Sequence, residues 1–415
     1  MSTSKDGPPQ LPDHLRPGYE RLRAGAAEIL PESSLAEKLQ LADQEGRPLR
    51  VKLGIDPSGA ELTIGHAVVL RKLRQFQDLG HLAVLIVGEF TGMVGDPSGR
   101  SATRVQQTAE QTAANAATYF DQVMRILDPD RVEIRRNSEW LASMNLADVV
   151  RETSVLTVAK LLERDDFAKR YAAHQPISLS EFLYPFLQGY DSVAVQADIE
   201  VGGTDQTYNL LVGRDLQRAH GQPQQAVLTV PLLEGLDGVQ KMGKSLNNYV
   251  AITEPAAEQF GKLMSIPDSL VVRYATLATD LRPDELAEIG AAVAAGGSGA
   301  GTAKRRVAAE IVRLYHGTAG ATEAEVGFDR RFREREVPTD VPEFGLPGDD
   351  PAHLPALLRA AGLAASASEA RRAITAGSVR LNGDRVDAAV LDLPRAELAG
   401  RVLQLGKRKA VRLVG

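Results

Sequence analysis

The sequence predicts an α/β protein in three parts: a doubly wound core with a helical insertion, an α-helical region, and a small α+β tail domain. Two observations near the start predict the core. Arg50–Asp56 (RVKLGID) alternates like a strand, with Val51, Leu53 and Ile55 on one face, and Leu82–Val87 is a continuous apolar run typical of a buried parallel strand. Between them, after a turn of Pro57, Ser58 and Gly59, His66–Leu79 has helical periodicity and Gly80 sits where a C-capping glycine belongs. Strand, turn, helix, strand opens a doubly wound, Rossmann-like fold, whose ligands sit at the carboxyl ends of the strands, near Asp56 and Gly88–Asp96. The third observation is the last sixty or so residues, compact, with helical then strand-like patterning.

Taken in order, residues 1–34 begin polar and proline-rich (MSTSKDGPPQLPDH), lack an apolar signal core, and read as a partly flexible lead. Residues 35–250 hold the core, interrupted by a mostly helical insertion at about 105–198 before the next strand signal, Ile199–Gly202. Residues 251–336 read as helical, split at Gly296–Gly301 and including an alanine-rich helix, Thr302–Tyr315. Prolines at Pro338, Pro342, Pro347 and Pro351 mark 337–353 as an extended linker, and 354–415 form the tail domain. There is no internal repeat.

The chain has 415 residues, 43% of them hydrophobic, enough for two or three cored domains. It has no cysteine, which excludes disulfides and thiolate metal sites and is compatible with the cytosol, and no run is apolar enough for a membrane span. The net charge of −6 is unevenly spread: from His353 to Gly415 there are eleven Arg or Lys against five Asp or Glu, a surplus of six. An acidic body with a basic tail suggests that the tail meets a polyanion, although a solvated basic surface has the same composition.

Four motifs carry candidate chemistry. Asp56-Pro-Ser-Gly-Ala-Glu-Leu-Thr-Ile-Gly-His66 leads into a helix, whose free N–H groups suit phosphate. There Gly65 lets a flat base approach backbone, and His66 can donate to a phosphate oxygen; an ordinary capped helix with a surface histidine reads the same. Lys241-Met-Gly-Lys-Ser245 follows a glycine-rich approach, so two lysines on a loop can close over a triphosphate and neutralise charge moving onto pyrophosphate. Tyr184, Gln188 and Asp191 are spaced to share one helix face, presenting a phenol, an amide and a carboxylate suited to a zwitterionic amino acid with a polar ring substituent. Gly202-Gly-Thr-Asp-Gln206 follows a strand; its glycines permit close approach, and Asp205 can take both hydroxyls of a ribose.

In this order the motifs resemble class I aminoacyl-tRNA synthetases, and within them the bacterial tyrosyl enzymes of the longer-chain branch. TIGH (63–66) is similar to the family's HIGH element and KMGKS (241–245) to its KMSKS element, while GEFTGMVGDPSGRS (88–101), YPFLQGYD (184–191) and GGTDQ (202–206) look like tyrosyl signatures. The resemblance implies ATP-dependent activation of L-tyrosine to tyrosyl-adenylate and transfer to the 3′-terminal adenosine of tRNA(Tyr). It implies catalytic roles for Thr63, His66, Lys241 and Lys244, and an ATP site of Asp56, Ser58, Gly65, His66, Gly203, Asp205 and Lys244. Asp96, Tyr184 and Gln188 are expected to hold the α-amino group of tyrosine, Asp191 its phenol, and Gln206 to lie near its carboxylate; Arg100 and Arg104 match basic positions near the substrates. Two positions depart from the pattern. Thr63 replaces the first histidine of HIGH, with a hydroxyl that can still donate to phosphate over a shorter reach; Lys52 replaces a tyrosine and, by alternation, shares a strand face with Asp56, toward the pocket.

The tail resembles the S4-type RNA-binding domain, through GLAASASEARRAITAGSVRLNGDRV (362–386), with an Asn-Gly hairpin signal at 382–383. Arg371, Arg372, Arg380 and Lys407 are the expected RNA contacts, made to phosphate. Resemblance further implies a homodimer joined through the helical insertion, a cytoplasmic location, ATP as substrate, and Mg²⁺ arriving with the nucleotide and not bound by the protein. Two rivals stand: a tryptophan ligase of the same subclass, with Asp191 accepting an indole N–H, and a catalytically silent RNA-binding homologue. The S4-like tail and YPFLQGYD oppose the first, and the presence of Gly65, His66 and both loop lysines opposes the second.

Overall fold

Six strands build the sheet of the first part of the chain: β1 (Glu28–Leu30), β2 (Arg50–Ile55), β3 (Leu82–Val87), β4 (Val132–Arg136), β5 (Ile199–Gly203) and β6 (Ala226–Val230). Their order is β1-β6-β5-β2-β3-β4, all parallel except β1, which runs antiparallel to β6. The strand order reverses between β2 and β5, and there the doubly wound fold opens a crevice. The computed structural model describes residues 11–57, 61–98, 119–332, 341–406 and 409–415.

Helices α1 (Arg16–Arg23), α2 (Ser34–Glu45), α3 (Ile64–Asp78) and α4 (Glu89–Val94) precede β4. In α3 the apolar stripe predicted from spacing is buried: Ile64, Ala67, Val68, Leu73 and Phe76 are at most 4% exposed. A capping box starts the helix. The Thr63 hydroxyl accepts from the His66 backbone N–H, and the His66 ring accepts from the Thr63 N–H. The β2–α3–β3 unit is the one the sequence announces.

The structure adds strands and a helix in three stretches where the sequence shows no strand signal. The lead contributes to the fold: α1 buries Leu22 completely, and β1 closes one sheet edge with Glu28 opposite Thr229, a pairing that no local pattern reveals. The mostly helical insertion also holds a strand, Val132–Arg136 (VEIRR), which joins the other edge beside β3. An edge strand needs no apolar run, and this one alternates charge with partial exposure, so the sign of a central strand is missing. The expected linker contributes Glu343–Gly345, parallel to Lys409–Val414, and Ala352–His353, paired with Asp392–Leu393.

Helices Ala256–Leu263, Val271–Ala278, Pro283–Ala295 and Gly297–Phe332 make up the helical region. Their break lies at Gly296 and Gly297, with φ of 69° and 55°, and the following helix, Gly297–Phe332, leaves helical geometry at Gly317 (φ 71°, ψ 175°). The chain divides there into two compact units, Met1–Gly317 and Thr318–Gly415. The second unit holds a five-stranded sheet in the order Asp384–Arg385, Val379–Leu381, Val402–Leu405, Lys409–Val414, Glu343–Gly345. Leu354, Leu358, Ala370, Val379, Leu403 and Leu413 form its core, each fully buried. Asn382 and Gly383, at φ 52° and 87°, make the expected two-residue hairpin turn between the first two of these strands. No helix among the described residues is long and apolar enough to cross a membrane.

Candidate active site

A two-lobed cleft opens at the carboxyl ends of β2 and β5. The inner lobe, about 290 Å³, is lined by Asp56, His66, Asp96, Tyr184, Gln188, Asp191, Gly203, Asp205, Gln206 and Lys241. The outer lobe, about 440 Å³, shares His66, Gly203, Asp205 and Lys241 and adds Thr63, Gly65 and Lys244. All but one of the residues expected to bind amino acid or nucleotide thus meet in one place. Ser58 lies outside the described residues, as do Arg100, Arg104 and Lys407.

Helix Leu179–Ala194 supplies the inner wall. Asp191, 2% exposed, accepts from Trp140 Nε1 at 2.9 Å and from Asn137 Nδ2 at 3.5 Å. Burial pushes its carboxyl up to about 7, against Lys52, Trp140 and Asn137, which favour the ionised form. The Tyr184 hydroxyl donates to Asp56 Oδ2 at 2.8 Å, and burial beside Asp56 and Asp96 holds the phenol well above its usual range. The other Asp56 oxygen accepts from the Thr91 hydroxyl at 2.7 Å. Gly88 makes room for that carboxylate, since a Cβ there would lie 1.9 Å from Asp56 Oδ1.

Facing this wall is a chain of amides. Arg164 Nη1 donates to Asn209 Oδ1 at 3.1 Å, so Asn209 turns its NH2 toward Gln188 Oε1 (3.1 Å) and Gln206 Oε1 (3.0 Å). Gln206 then donates through Nε2 to Asp96 Oδ2 at 2.8 Å, and the other Asp96 oxygen accepts from the Ser98 backbone. Each amide has one orientation, dictated by a guanidinium that only donates and carboxylates that only accept.

The outer lobe is built differently. Its loop, Lys241–Ser245, rests on the start of α3 through Met242, whose sulfur accepts from the Gly65 N–H at 3.3 Å. Asn248 ties the loop back, accepting from Gly243 N–H and donating to Asp237. Lys241 reaches Asp205 Oδ2 at 3.4 Å with its side chain 49% exposed. Partial burial lowers the pKa of Lys244. His66 keeps an open edge on the cleft, yet protein crowds the rest of the ring; this crowding, then Lys244 and Lys241, lowers its pKa to about 4. The neutral imidazole is favoured. Because Nδ1 accepts from the Thr63 N–H, the ring proton sits on Nε2, leaving a donor for a ligand. Thr63 itself is fully buried, with its hydroxyl engaged by His66. Thr63 thus serves the helix cap and still lines the outer lobe.

Lys52 departs from expectation. It shares the face of Asp56 but lies four residues, about 13 Å, back along the strand. There it is fully buried, 2.9 Å from Glu200, and does not line the cleft. Sequence reasoning missed Trp140, Asn137, Asn209, Arg164 and Glu200. Two signals were available: Trp140 is the sole tryptophan, and Glu200 is the single charge in β5 while Lys52 interrupts the apolar residues of β2. No group of three His, Cys, Asp or Glu among the described residues could hold a metal.

In the second unit Arg371 and Arg372 are exposed on helix Ala367–Thr375, whereas Arg380 is half-buried and donates to the Gly383 carbonyl.

Comparison with known proteins adds to this geometry. The family described as tRNA synthetases class I (W and Y) matches residues 44–333, and the S4 domain matches 354–390. A tyrosine–tRNA ligase from Geobacter metallireducens is 50% identical over 394 residues, 95% of this chain and 97% of that one. One from Moorella thermoacetica is 49% identical, covering 94% of each. Among solved structures, a C-terminally truncated mitochondrial tyrosyl-tRNA synthetase from Aspergillus nidulans has a TM-score of 0.62 at 21% identity, over 76% of this chain and 93% of that one. The tyrosyl-tRNA synthetase of Archaeoglobus fulgidus, complexed with L-tyrosine, has a TM-score of 0.58 at 22% identity, over 74% and 99%.

Proposed function

This chain belongs to the class I tRNA synthetases of the tryptophan and tyrosine group, with an S4 domain at its C-terminal end, and from that premise we propose that it is a tyrosine–tRNA ligase. The observation that carries the choice of amino acid is Asp191, a buried carboxylate at the inner end of the cleft, ready to accept from a phenol.

In this reading the tyrosine ring lies along helix Leu179–Ala194 with its hydroxyl on Asp191. The ammonium meets the carbonyl and carboxylate oxygens of Gln188 and Asp96, and Tyr184 with it. The substrate carboxylate attacks the α-phosphorus of ATP, the bond from that phosphorus to the bridging oxygen breaks, and pyrophosphate departs. No side chain moves a proton in this step, so alignment and charge stabilisation carry it. Asp205 and Gly203 hold the ribose, Gly65 the base, and His66 Nε2–H, Lys241 and Lys244 the phosphates, with Mg²⁺ entering as part of the nucleotide substrate. A ribose hydroxyl of the terminal adenosine of tRNA(Tyr) then attacks the tyrosyl carbonyl, releasing AMP. That work belongs in the cytoplasm.

We also propose a homodimer. Leu146, Val150, Val158, Tyr171 and Leu179, 61–78% exposed, all fall within the predicted insertion, where a second copy would cover them. The tail binds tRNA through phosphate contacts from Arg371 and Arg372, with the catalytic body before it.

Pyrophosphate exchange measured with each of the twenty amino acids tests the assignment. Tyrosine should drive exchange and tryptophan and phenylalanine should hardly do so; equal exchange with tryptophan would overturn it. Replacing Arg371 and Arg372 by Ala should reduce the salt slope of tRNA binding by about one for each arginine that pairs with a phosphate. Sedimentation as a monomer at micromolar concentration would refute the dimer.

A further inference from the structure

Under the inner lobe lies a polar cluster that does not line the cleft. Lys52 on β2 and Glu200 on β5 are direct register partners, both fully buried, with Nζ 2.9 Å from Oε1. All three ammonium donors are used: besides Glu200 they reach Ser192 Oγ at 2.7 Å and the Gln188 carbonyl at 2.9 Å. Glu200 is equally engaged, accepting from Ser192, Gln225 and, at 3.4 Å, Gln188 Nε2. Space for the cluster depends on Gly213, where a Cβ would lie 2.7 Å from Gln225 Nε2 and 2.9 Å from Ser192 Oγ.

We propose that Lys52 and Glu200 are positioning residues for amino-acid recognition: their ion pair fixes both ends of Gln188, so that its amide presents oxygen, not NH2, to a substrate ammonium. Lys52 holds the main chain of Gln188 and Glu200 its side chain. A carboxylate only accepts, so it can face only the NH2 of the amide, and the carbonyl oxygen is left for donors. Asn209 Nδ2 uses one of its lone pairs at 3.1 Å, and the other is free for an ammonium. Were the amide reversed, its NH2 would confront Asn209 and the substrate cation together, donor against donor. A hydrocarbon pair could fill the same volume without the desolvation cost of two charges, but it could not orient an amide. The inference rests on the tyrosine reading of the cleft.

The test compares the unaltered protein with Glu200→Gln and with the double variant Lys52→Met/Glu200→Gln, which removes both charges and leaves neither buried alone. Exchange kinetics give KM for tyrosine and for ATP; competition by des-amino tyrosine (hydroxyphenylpropanoate) reads binding without the ammonium. In both variants tyrosine KM should rise about tenfold, the size of one lost hydrogen bond to a charged group. ATP KM should stay unchanged, and so should the inhibition constant of the des-amino compound when measured well above pH 7, where Asp191 is ionised with or without the pair. Thermal stability should recover in the double variant while tyrosine KM does not, which separates positioning from structural support. An unchanged tyrosine KM in either folded variant, an equal loss for the des-amino compound, or recovery of KM with stability would overturn the inference alone. Lack of tyrosine-driven exchange in the unaltered protein would overturn the functional reading and this inference with it.

Discussion

The two lobes of the cleft solve opposite problems. The inner lobe is buried and its carboxylates and amides already hold partners: Asp191 has Trp140 and Asn137, Asp96 has Gln206 and Ser98, Gln188 has Asn209 and Glu200. The outer lobe carries its cations on a loop, with Lys241 half exposed and only loosely paired to Asp205. A site that must reject near-identical small molecules gains from groups that cannot relax around the wrong one. A site that must follow charge onto a departing pyrophosphate gains from cations that engage as that charge develops. In the proposed function, selectivity belongs to the buried lobe and rate to the open one.

The sharpest way to break this comparison is to remove both loop lysines. Lys241→Ala with Lys244→Ala should slow adenylate formation by about a thousandfold or more, at roughly 2–4 kcal/mol for each lost stabilising group. Tyrosine affinity should hardly change, and single-turnover kinetics beside equilibrium binding would show the split. If tyrosine binding fell as far as the rate, the lobes would not be separable.

Asp191→Ala should do the reverse. It strands the Trp140 and Asn137 donors and removes the acceptor for the phenol, so tyrosine KM should rise about a hundredfold, roughly 3 kcal/mol. ATP KM should remain as it was.

A smaller effect sharpens the electrostatics. In the free protein Asp191 titrates at about 7, above its ordinary range, because burial disfavours the charge. An ionised Asp191 is the better acceptor, so tyrosine KM should increase as pH falls through 7, with no such trend for ATP. Trp140→Phe removes a bond that stabilises the ionised form and should move that midpoint upward. The same linkage acts on folding: between the ordinary carboxylate pKa and 7 the native state holds the extra proton, so the contribution of Asp191 to stability declines as pH rises through that window. A tyrosine KM that is flat with pH in the native protein would remove Asp191 from phenol recognition.

The smallest expected change concerns the cap. Thr63→Ala should cost about 1 kcal/mol of stability through the lost N-cap. The rate should fall only several-fold, because the His66 ring loses one of its two anchors. A large loss of rate at unchanged melting temperature would instead show that Thr63 touches phosphate directly.

Much of the catalytic core was legible because its signals are local. The β2–α3–β3 unit rests on residues adjacent in sequence, and the Tyr184, Gln188 and Asp191 face follows from helix spacing alone. The motifs at 63–66, 202–206 and 241–245 also carried the family resemblance, and their residues do line one cleft. Less legible were β1 and β4, whose edge positions impose no apolar run, and the strand at Glu343–Gly345, which lies inside a proline-rich stretch.

By itself the sequence determined which chemistry is available: a carboxylate, amides and a phenol on one side, a histidine and two lysines on the other, and a basic domain to follow. Tertiary structure alone decided what those groups are free to do. Thr63 and Lys52 show this most clearly, for alternation and motif position pointed both toward ligand, yet one also serves a helix cap and the other is consumed by Glu200. The physical reason is that a buried polar group must be satisfied, and its partner comes from whichever distant segment the fold brings within hydrogen-bonding reach. Trp140 and Arg164 acquired their roles in the same way, through bonds to Asp191 and Asn209 that arise only when the sheet closes the chain around the cleft.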